Sequence, residues 1–196
     1  MLCFFDLWSI CKVKYDENVK SKFCQIKPIS KEDIIRWQRK NQKSNAMRML
    51  ERAKIPFEVH RYECKEFIDG ITIADMLNEP YERVFKTLVT EGKGGGYFVF
   101  VIPIDQELDL KKAAKAAGEK SVEMIHVKDI NKITGYIRGG CTAIGMKKDY
   151  PTVLDESANA QEKIIVSGGK NGIQIELTTE DYLKACKGKT ADITLR

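Results

Sequence analysis

Residues 84–103 read Val-Phe-Lys-Thr-Leu-Val-Thr-Glu-Gly-Lys-Gly-Gly-Gly-Tyr-Phe-Val-Phe-Val-Ile-Pro. Two β-rich apolar runs, 84–90 and 97–103, flank a turn from Gly92 to Gly96, the pattern of a hairpin. A second hairpin is expected downstream, where 164–167 and 172–177 flank Gly168-Gly-Lys-Asn-Gly172. Strands are also predicted at 57–62, 121–127 and 152–154. Helices intervene irregularly. Ser44 caps one running to about Lys54, with Ala46, Leu50 and Ala53 on one face and Pro56 just beyond. Thr72 and Asp75 stand at capping-box spacing at the start of a helix over 72–77. Asp109 and Gly118 bracket a helix over 110–117. A short helix follows at 128–135. Another starts at Thr178 or Thr179, with Glu180 and Asp181 in its first turn, and stops at Gly188. Hairpin-linked strands mixed with helices in this way argue for an α+β domain, not a doubly wound parallel sheet.

Composition narrows the class. The chain has 196 residues, 43% of them hydrophobic, and a mean hydropathy of −0.34, enough apolar material for one core. The net charge of +5 sits in residues 1–44, which hold ten Lys/Arg and five Asp/Glu, so the remainder is neutral. Residues 1–43 do not resemble the rest. They are expected to be an extension, poorly ordered or a start-site artefact, with a short helix at 29–40 capped by Ser30. Residues 44–196 are expected to form the functional domain. The six cysteines show no CxxC spacing and only two histidines are present, His60 and His126, which argues against a metal site. Scattered cysteines without a secretion signal point to the cytoplasm. The apolar start lacks a basic n-region and carries Asp6, so neither a signal peptide nor a membrane span is expected.

The richest loop is Gly139-Gly-Cys-Thr-Ala-Ile-Gly145, followed by Met-Lys-Lys148. Adjacent glycines let a ligand approach the backbone and let peptide N–H groups converge on an anion or oxyanion. Thr142, Lys147 and Lys148 lie close in sequence. Cys141 reads as a structural thiol, because no base is identifiable for it. Lys86 is either solvated or aimed into a polar pocket. Thr87 falls on the opposite face of the same strand, so it would contribute through its backbone. Ser167 lacks a nucleophile-elbow context and reads as a hairpin residue or a pocket hydroxyl. His60 and Tyr62 share one face of a predicted strand, as half-buried residues or at a pocket mouth. Asp155 and Glu176 are candidate acids without dyad spacing. No Walker A, GxGxxG, HExxH or EF-hand motif occurs.

The order of these features resembles one family. Residues 44–57 (Ser-Asn-Ala-Met-Arg-Met-Leu-Glu-Arg-Ala-Lys-Ile-Pro-Phe), 84–89, 108–118, Thr134-Gly-Tyr136, 139–148, 166–172 and Ile175-Glu-Leu177 are similar, in order and spacing, to the YbaK/EbsC-type Cys-tRNA(Pro) deacylases. These are free-standing relatives of the editing domain inserted in prolyl-tRNA synthetases. The resemblance covers about residues 44–196. It implies a mixed, largely antiparallel, barrel-like sheet with surrounding helices. It implies removal of cysteine from Cys-tRNA(Pro), in which the substrate thiol attacks its own ester and leaves a cyclic thiolactone. No cofactor is implied. The implied partners are the 3′ end of tRNA(Pro) and prolyl-tRNA synthetase, with no role for DNA or membrane. By position, Lys86 matches the active-site lysine and Thr87 its neighbour. Gly139, with Gly140, matches the backbone holder of the carbonyl or oxyanion. Tyr62 and Ser167 match polar pocket residues. Gln174 stands where relatives carry an aspartate, and the stretch between Tyr62 and Lys86 is slightly short. The alternatives are a deacylase for another small residue on tRNA(Pro), such as alanine, and a non-catalytic tRNA- or synthetase-binding module. Lysines 111, 112, 115, 147 and 148 are the candidate phosphate contacts, a solvated helix face being the ordinary explanation for the first three.

Overall fold

The computed structural model describes residues 43–62 and 68–195. The helix expected at 29–40 lies outside these residues. Helix α1 (Asn45–Arg52) starts where Ser44 accepts a hydrogen bond from the Met47 N–H, and it buries Ala46, Met47 and Leu50. Ala53, expected on the buried face, is the exposed C-cap; the chain turns at Lys54 and buries Ile55 instead. Strand β1 (Glu58–Arg61) follows. Helix α2 (Gly70–Leu77) begins two residues earlier than expected. Its cap is Asp69, which accepts from both the Thr72 N–H and the Thr72 hydroxyl. Thr72 is thus the partner of the cap, not the cap itself.

Strands β2 (Val84–Gly92) and β3 (Tyr97–Pro103) form the expected hairpin, closed by Gly92 N–H donating to Gly96 O at 2.7 Å. Helix α3 (Leu110–Ala117) runs from the Asp109 cap to a left-handed Gly118, as its flanking residues dictate. Then come β4 (Val122–Met124), α4 (Ile130–Thr134), β5 (Thr152–Asp155), β6 (Lys163–Ser167), β7 (Ile173–Thr178), α5 (Thr179–Cys186) and β8 (Lys189–Ala191). Thr178 caps α5. The left-handed residue that ends α5 is Lys187, one position before the expected Gly188. Strand β8 was not expected; it is three residues long and owes its existence to a parallel partner, β5.

The sheet order is β1-β7-β6-β2-β3-β5-β8, with β4 also paired to β2. Antiparallel pairs join β1–β7, β7–β6, β2–β3 and β2–β4, while β2–β6, β3–β5 and β5–β8 are parallel. The α+β expectation holds. Alternation sorts the side chains. Phe85, Val89, Val99, Val101, Val166, Ile175 and Leu177 face the main core with α1 and Tyr182 of α5. Phe98, Phe100 and Ile102 pack with α3, and Val84, Ile104 and Ile165 pack with Ala74 of α2. Each such side chain contributes about 1.5–3 kcal/mol by leaving water.

One feature of this topology makes a site. Strand β3 accompanies β2 from Phe85 to Glu91. On the opposite edge, β6 pairs only with Val84 and Phe85, and β4 only with Thr90–Gly92. Between them the sheet is split beside residues 86–89.

Candidate active site

A cavity of about 350 Å³ occupies this split. Its walls are mostly apolar, drawn from α2 (Ile73), β2, Ile104, the β4 region (Met124, Ile125) and Ile130. The polar groups are few: Lys86, Thr87, Arg138, Gly139, Cys141, Ser167 and Gln174. No carboxylate or imidazole lines it among the described residues.

Lys86 lies on the α2 face of β2 and donates from Nζ to the Ile104 carbonyl at 2.9 Å. Burial pushes its pKa down, and Asp105 and Glu107 oppose that shift. The ammonium is therefore partly stripped of water, which strengthens its interaction with any anion brought to it. Thr87 sits beside it with its side chain on the other face, near Tyr182. Ile104 N–H donates to Val84 O, and Gly92 to Gly96, so the even residues of β2 bond toward β3. The backbone groups of Phe85, Thr87 and Val89 then point the other way, and Ile125 N–H does reach Val89 O. At Thr87 no strand among the described residues lies alongside, so its peptide edge faces the cavity.

The glycine loop forms the opposite wall. Gly140 N–H donates to Ile137 O at 3.1 Å, which places Arg138 and Gly139 at the centre of a β-turn. Gly139 has φ +84°, the conformation that a type II turn requires at its third position. The Gly139 carbonyl accepts from Ser167 Oγ at 3.4 Å, and its N–H has no backbone partner among the described residues. Gly140, expected beside Gly139 in the site, is placed differently. Its N–H closes the turn, it is buried, and it does not line the cavity. It is a glycine for packing: a Cβ there would lie 2.9 Å from Lys170 Cα. Tyr136 fastens the far end of the loop, its hydroxyl donating to Ile144 O at 2.6 Å, while Asn45 Nδ2 donates to Gly145 O at 2.7 Å. Neither anchor was expected: Asn45 comes from a helix far from Gly145 in sequence, and Tyr136, though near Ile144 in the chain, gives no local sign of where its hydroxyl goes.

Ser167, Gln174 and His60 form one row across β6, β7 and β1. Ser167 and Gln174 border the cavity, and Gln174 is only 3% exposed. His60 turns instead to Glu176, with Nε2 and Oε2 2.7 Å apart, and Arg83 holds the second Glu176 oxygen at 2.7 Å. Glu176 is thus a paired structural acid. Asp155, fully buried, accepts from the Ser157 and Ile193 N–H groups and is likewise structural. Tyr62 does not line the cavity; its N–H donates to Gly172 O at the base of the second hairpin. Thr142 is buried away from the cavity, and Lys147 turns to the Asn131 and Lys132 carbonyls at the end of α4. Of the predicted phosphate contacts, Lys112 is tied to Asp192 and Thr194 O. Burial raises the Cys141 pKa to about 11, so this thiol is protonated at neutral pH.

Residues 71–185 match the family described as the aminoacyl-tRNA editing domain. Over 156 residues the chain is 51% identical to an Enterococcus faecalis protein assigned as a Cys-tRNA(Pro)/Cys-tRNA(Cys) deacylase, EbsC; this spans 79% of the chain and 95% of that relative. The chain belongs to the aminoacyl-tRNA editing family. A shorter stretch, 96 residues, is 28% identical to the proline–tRNA ligase of Fervidobacterium nodosum, covering 49% of this chain and 16% of that protein. Among solved structures, one described as a trans-editing enzyme for prolyl tRNA synthetase superposes with a TM-score of 0.70 at 21% identity, over 80% of this chain and all of that one. The hypothetical protein APE2540 does so equally, at 19% identity over 78% of this chain and all of that one. These two likenesses establish the fold. Arg138, Ile104 and Met124, cavity residues of the editing domain, carried no signal in the sequence; only the adjacency of Arg138 to Gly139 could have suggested one of them.

Proposed function

We propose that this chain is a trans-editing deacylase that clears cysteine from Cys-tRNA(Pro) in the cytoplasm, using the thiol of its substrate as the nucleophile. One observation carries the reading. The cavity is lined by two cations, an amide, a hydroxyl and open peptide edges, yet no carboxylate or imidazole lines it among the described residues. Such a site can hold and polarise an ester more readily than it can activate a water. Among the described residues that line it the one thiol, Cys141, is held protonated by burial.

In the proposed step the cysteinyl sulfur bonds to its own ester carbonyl carbon. The carbon–oxygen bond to the ribose breaks, and the thiol proton ends on the ribose hydroxyl that leaves. The products are a cyclic thiolactone and uncharged tRNA; water later opens the ring to free cysteine. Lys86 and the Gly139 N–H face the carbonyl oxygen as it gains charge. The Thr87 peptide edge holds the acyl chain, and Ser167 keeps the Gly139 peptide oriented. Gln174 accepts from the substrate ammonium through its amide oxygen, as a neutral partner where relatives carry an acid. Prolyl-tRNA synthetase is the proposed source of tRNA selectivity, since residues 45–196 carry no net charge with which to grip RNA unaided.

The test is deacylation of Cys-, Ala- and Ser-charged tRNA(Pro). Cysteine should be released fastest, and Lys86→Ala should abolish release with the fold retained. Equal rates on Ala and Cys would refute the thiol step. Wild-type rates in Lys86→Ala would refute the site.

A further inference from the structure

A second cavity of about 430 Å³ adjoins the first, and Met124 and Ile125 line both. Its character is opposite. It is bordered by Glu91, Lys93, Tyr97, Glu123, His126, Asp129 and Lys132. Tyr97 aside, the side chains of Glu91, Lys93, Glu123, His126, Asp129 and Lys132 make no hydrogen bond or ion pair among the described residues. Elsewhere on this surface charged side chains do pair, as Lys163 does with Glu58 and Lys187 with Asp149. Here a concave wall keeps its donors and acceptors for something else.

The first cavity, on the reading proposed above, takes an aminoacyl ester on the terminal adenosine of a single-stranded RNA end. The nucleotide before that adenosine must then lie immediately beside it. We propose that the second cavity receives this nucleotide, and that its carboxylates read the exocyclic amine of a cytosine. The chemistry matches on three counts. Carboxylates accept from the cytosine N4 amine and have nothing to accept from uracil at the same position. Tyr97 and His126 line the cavity with aromatic rings, the groups on which unpaired bases stack. Lys93 and Lys132 supply cations for the flanking phosphates. The half-exposed Met124 (47%) stands between the two cavities as an apolar step over which the strand passes. All transfer RNAs end in two cytosines and an adenosine, so this contact would recognise a mature 3′ end rather than one particular tRNA.

The inference rests on the deacylase reading, and the experiment separates the two. Cys-tRNA(Pro) is prepared with cytosine or with uracil before the terminal adenosine, and kcat/KM is measured for the full chain and for the triple variant Glu91→Gln, Glu123→Gln, Asp129→Asn. These three side chains are on the surface or half-buried, so the variant is expected to fold. The wild type should prefer cytosine by about tenfold or more, and the variant should bring the ratio to near one, because an amide serves either base. Removing three negative charges will strengthen RNA binding in general, but that acts on both substrates and leaves their ratio untouched. Equal wild-type rates on the two substrates, or a triple variant that keeps the preference, overturns the inference while the deacylase reading stands. A wild type inactive on both substrates overturns the deacylase reading, and this inference with it.

Discussion

Replacing Gly140 by alanine tests whether the glycine loop works through its packing. The added Cβ would sit 2.9 Å from Lys170 Cα and 3.0 Å from the Lys170 N and C atoms. These are backbone atoms and cannot rotate away, so the loop and the second hairpin must part. Overpacking of this kind costs about 1–3 kcal/mol. At about 2–4 °C per kcal/mol for a domain of this size, Tm should fall by about 2–12 °C. The same parting shifts Gly139 away from Ser167, and a displacement approaching 1 Å lowers turnover by about a hundredfold. Gly95→Ala is the matched control. Gly95 has φ +85° and open space around its missing Cβ, at the tip of the β2–β3 hairpin. It should lose about 1–2 kcal/mol through φ alone and keep full activity. Thermal melts and deacylation are measured on both variants at one temperature below either midpoint. A Gly140→Ala protein that loses stability yet turns over like wild type would refute the reasoning, as would one that melts like wild type.

Three further outcomes are expected. The rate of Cys-tRNA(Pro) deacylation, after subtraction of spontaneous ester hydrolysis, should rise with pH as the substrate thiol ionises and fall as Lys86 loses its proton. Burial lowers that pKa, so the fall comes earlier than for an ordinary lysine; Lys86→Arg should move it upward whatever its absolute rate, and an unmoved limb would remove Lys86 from the chemistry. Cys141→Ser should keep kcat/KM within about threefold, since a thiol with a pKa near 11 contributes no nucleophile at neutral pH; a collapse beyond about a hundredfold, with the fold intact by circular dichroism, would make Cys141 catalytic. Gln174→Asp should lower KM for the aminoacyl ester by pairing with its ammonium, and should destabilise the free protein at neutral pH because the site is 3% exposed. Burial raises the pKa of the new carboxyl above its unfolded value, so this destabilisation should shrink as pH falls through that raised value; melts across pH 4–8 test the sign.

Much of the fold was legible because its rules are local. The β2–β3 hairpin needs only alternating apolar residues and a glycine-rich turn, and α3 needs only Asp109 and Gly118 at its ends. Where the reading failed, the deciding partner was elsewhere or a local signal was outvoted. Asp69, not Thr72, caps α2, since Gly70 at the first helical position hid the start of the helix. Three residues cannot announce β8, whose bonds go to β5 more than thirty residues earlier.

The same division runs through the site. The amino-acid sequence by itself determined the α+β class, because glycine turns and strand alternation are written in neighbouring residues, and the family, through the order and spacing of its motifs; the choice of Lys86, Gly139, Ser167 and Gln174 as site residues rests on that resemblance. The sequence also placed Thr87 on the face opposite Lys86. Only the tertiary structure decided what joins them. The cavity exists because β6 leaves β2 after Phe85 and β4 does not arrive until Thr90. It also decided that Gly140 serves packing while Gly139 faces the cavity, that Tyr62 lies outside the wall, and that Glu176 belongs to His60 and Arg83. These are contacts between segments far apart in the chain, and the pairing of strands that creates them has no signature within any one segment.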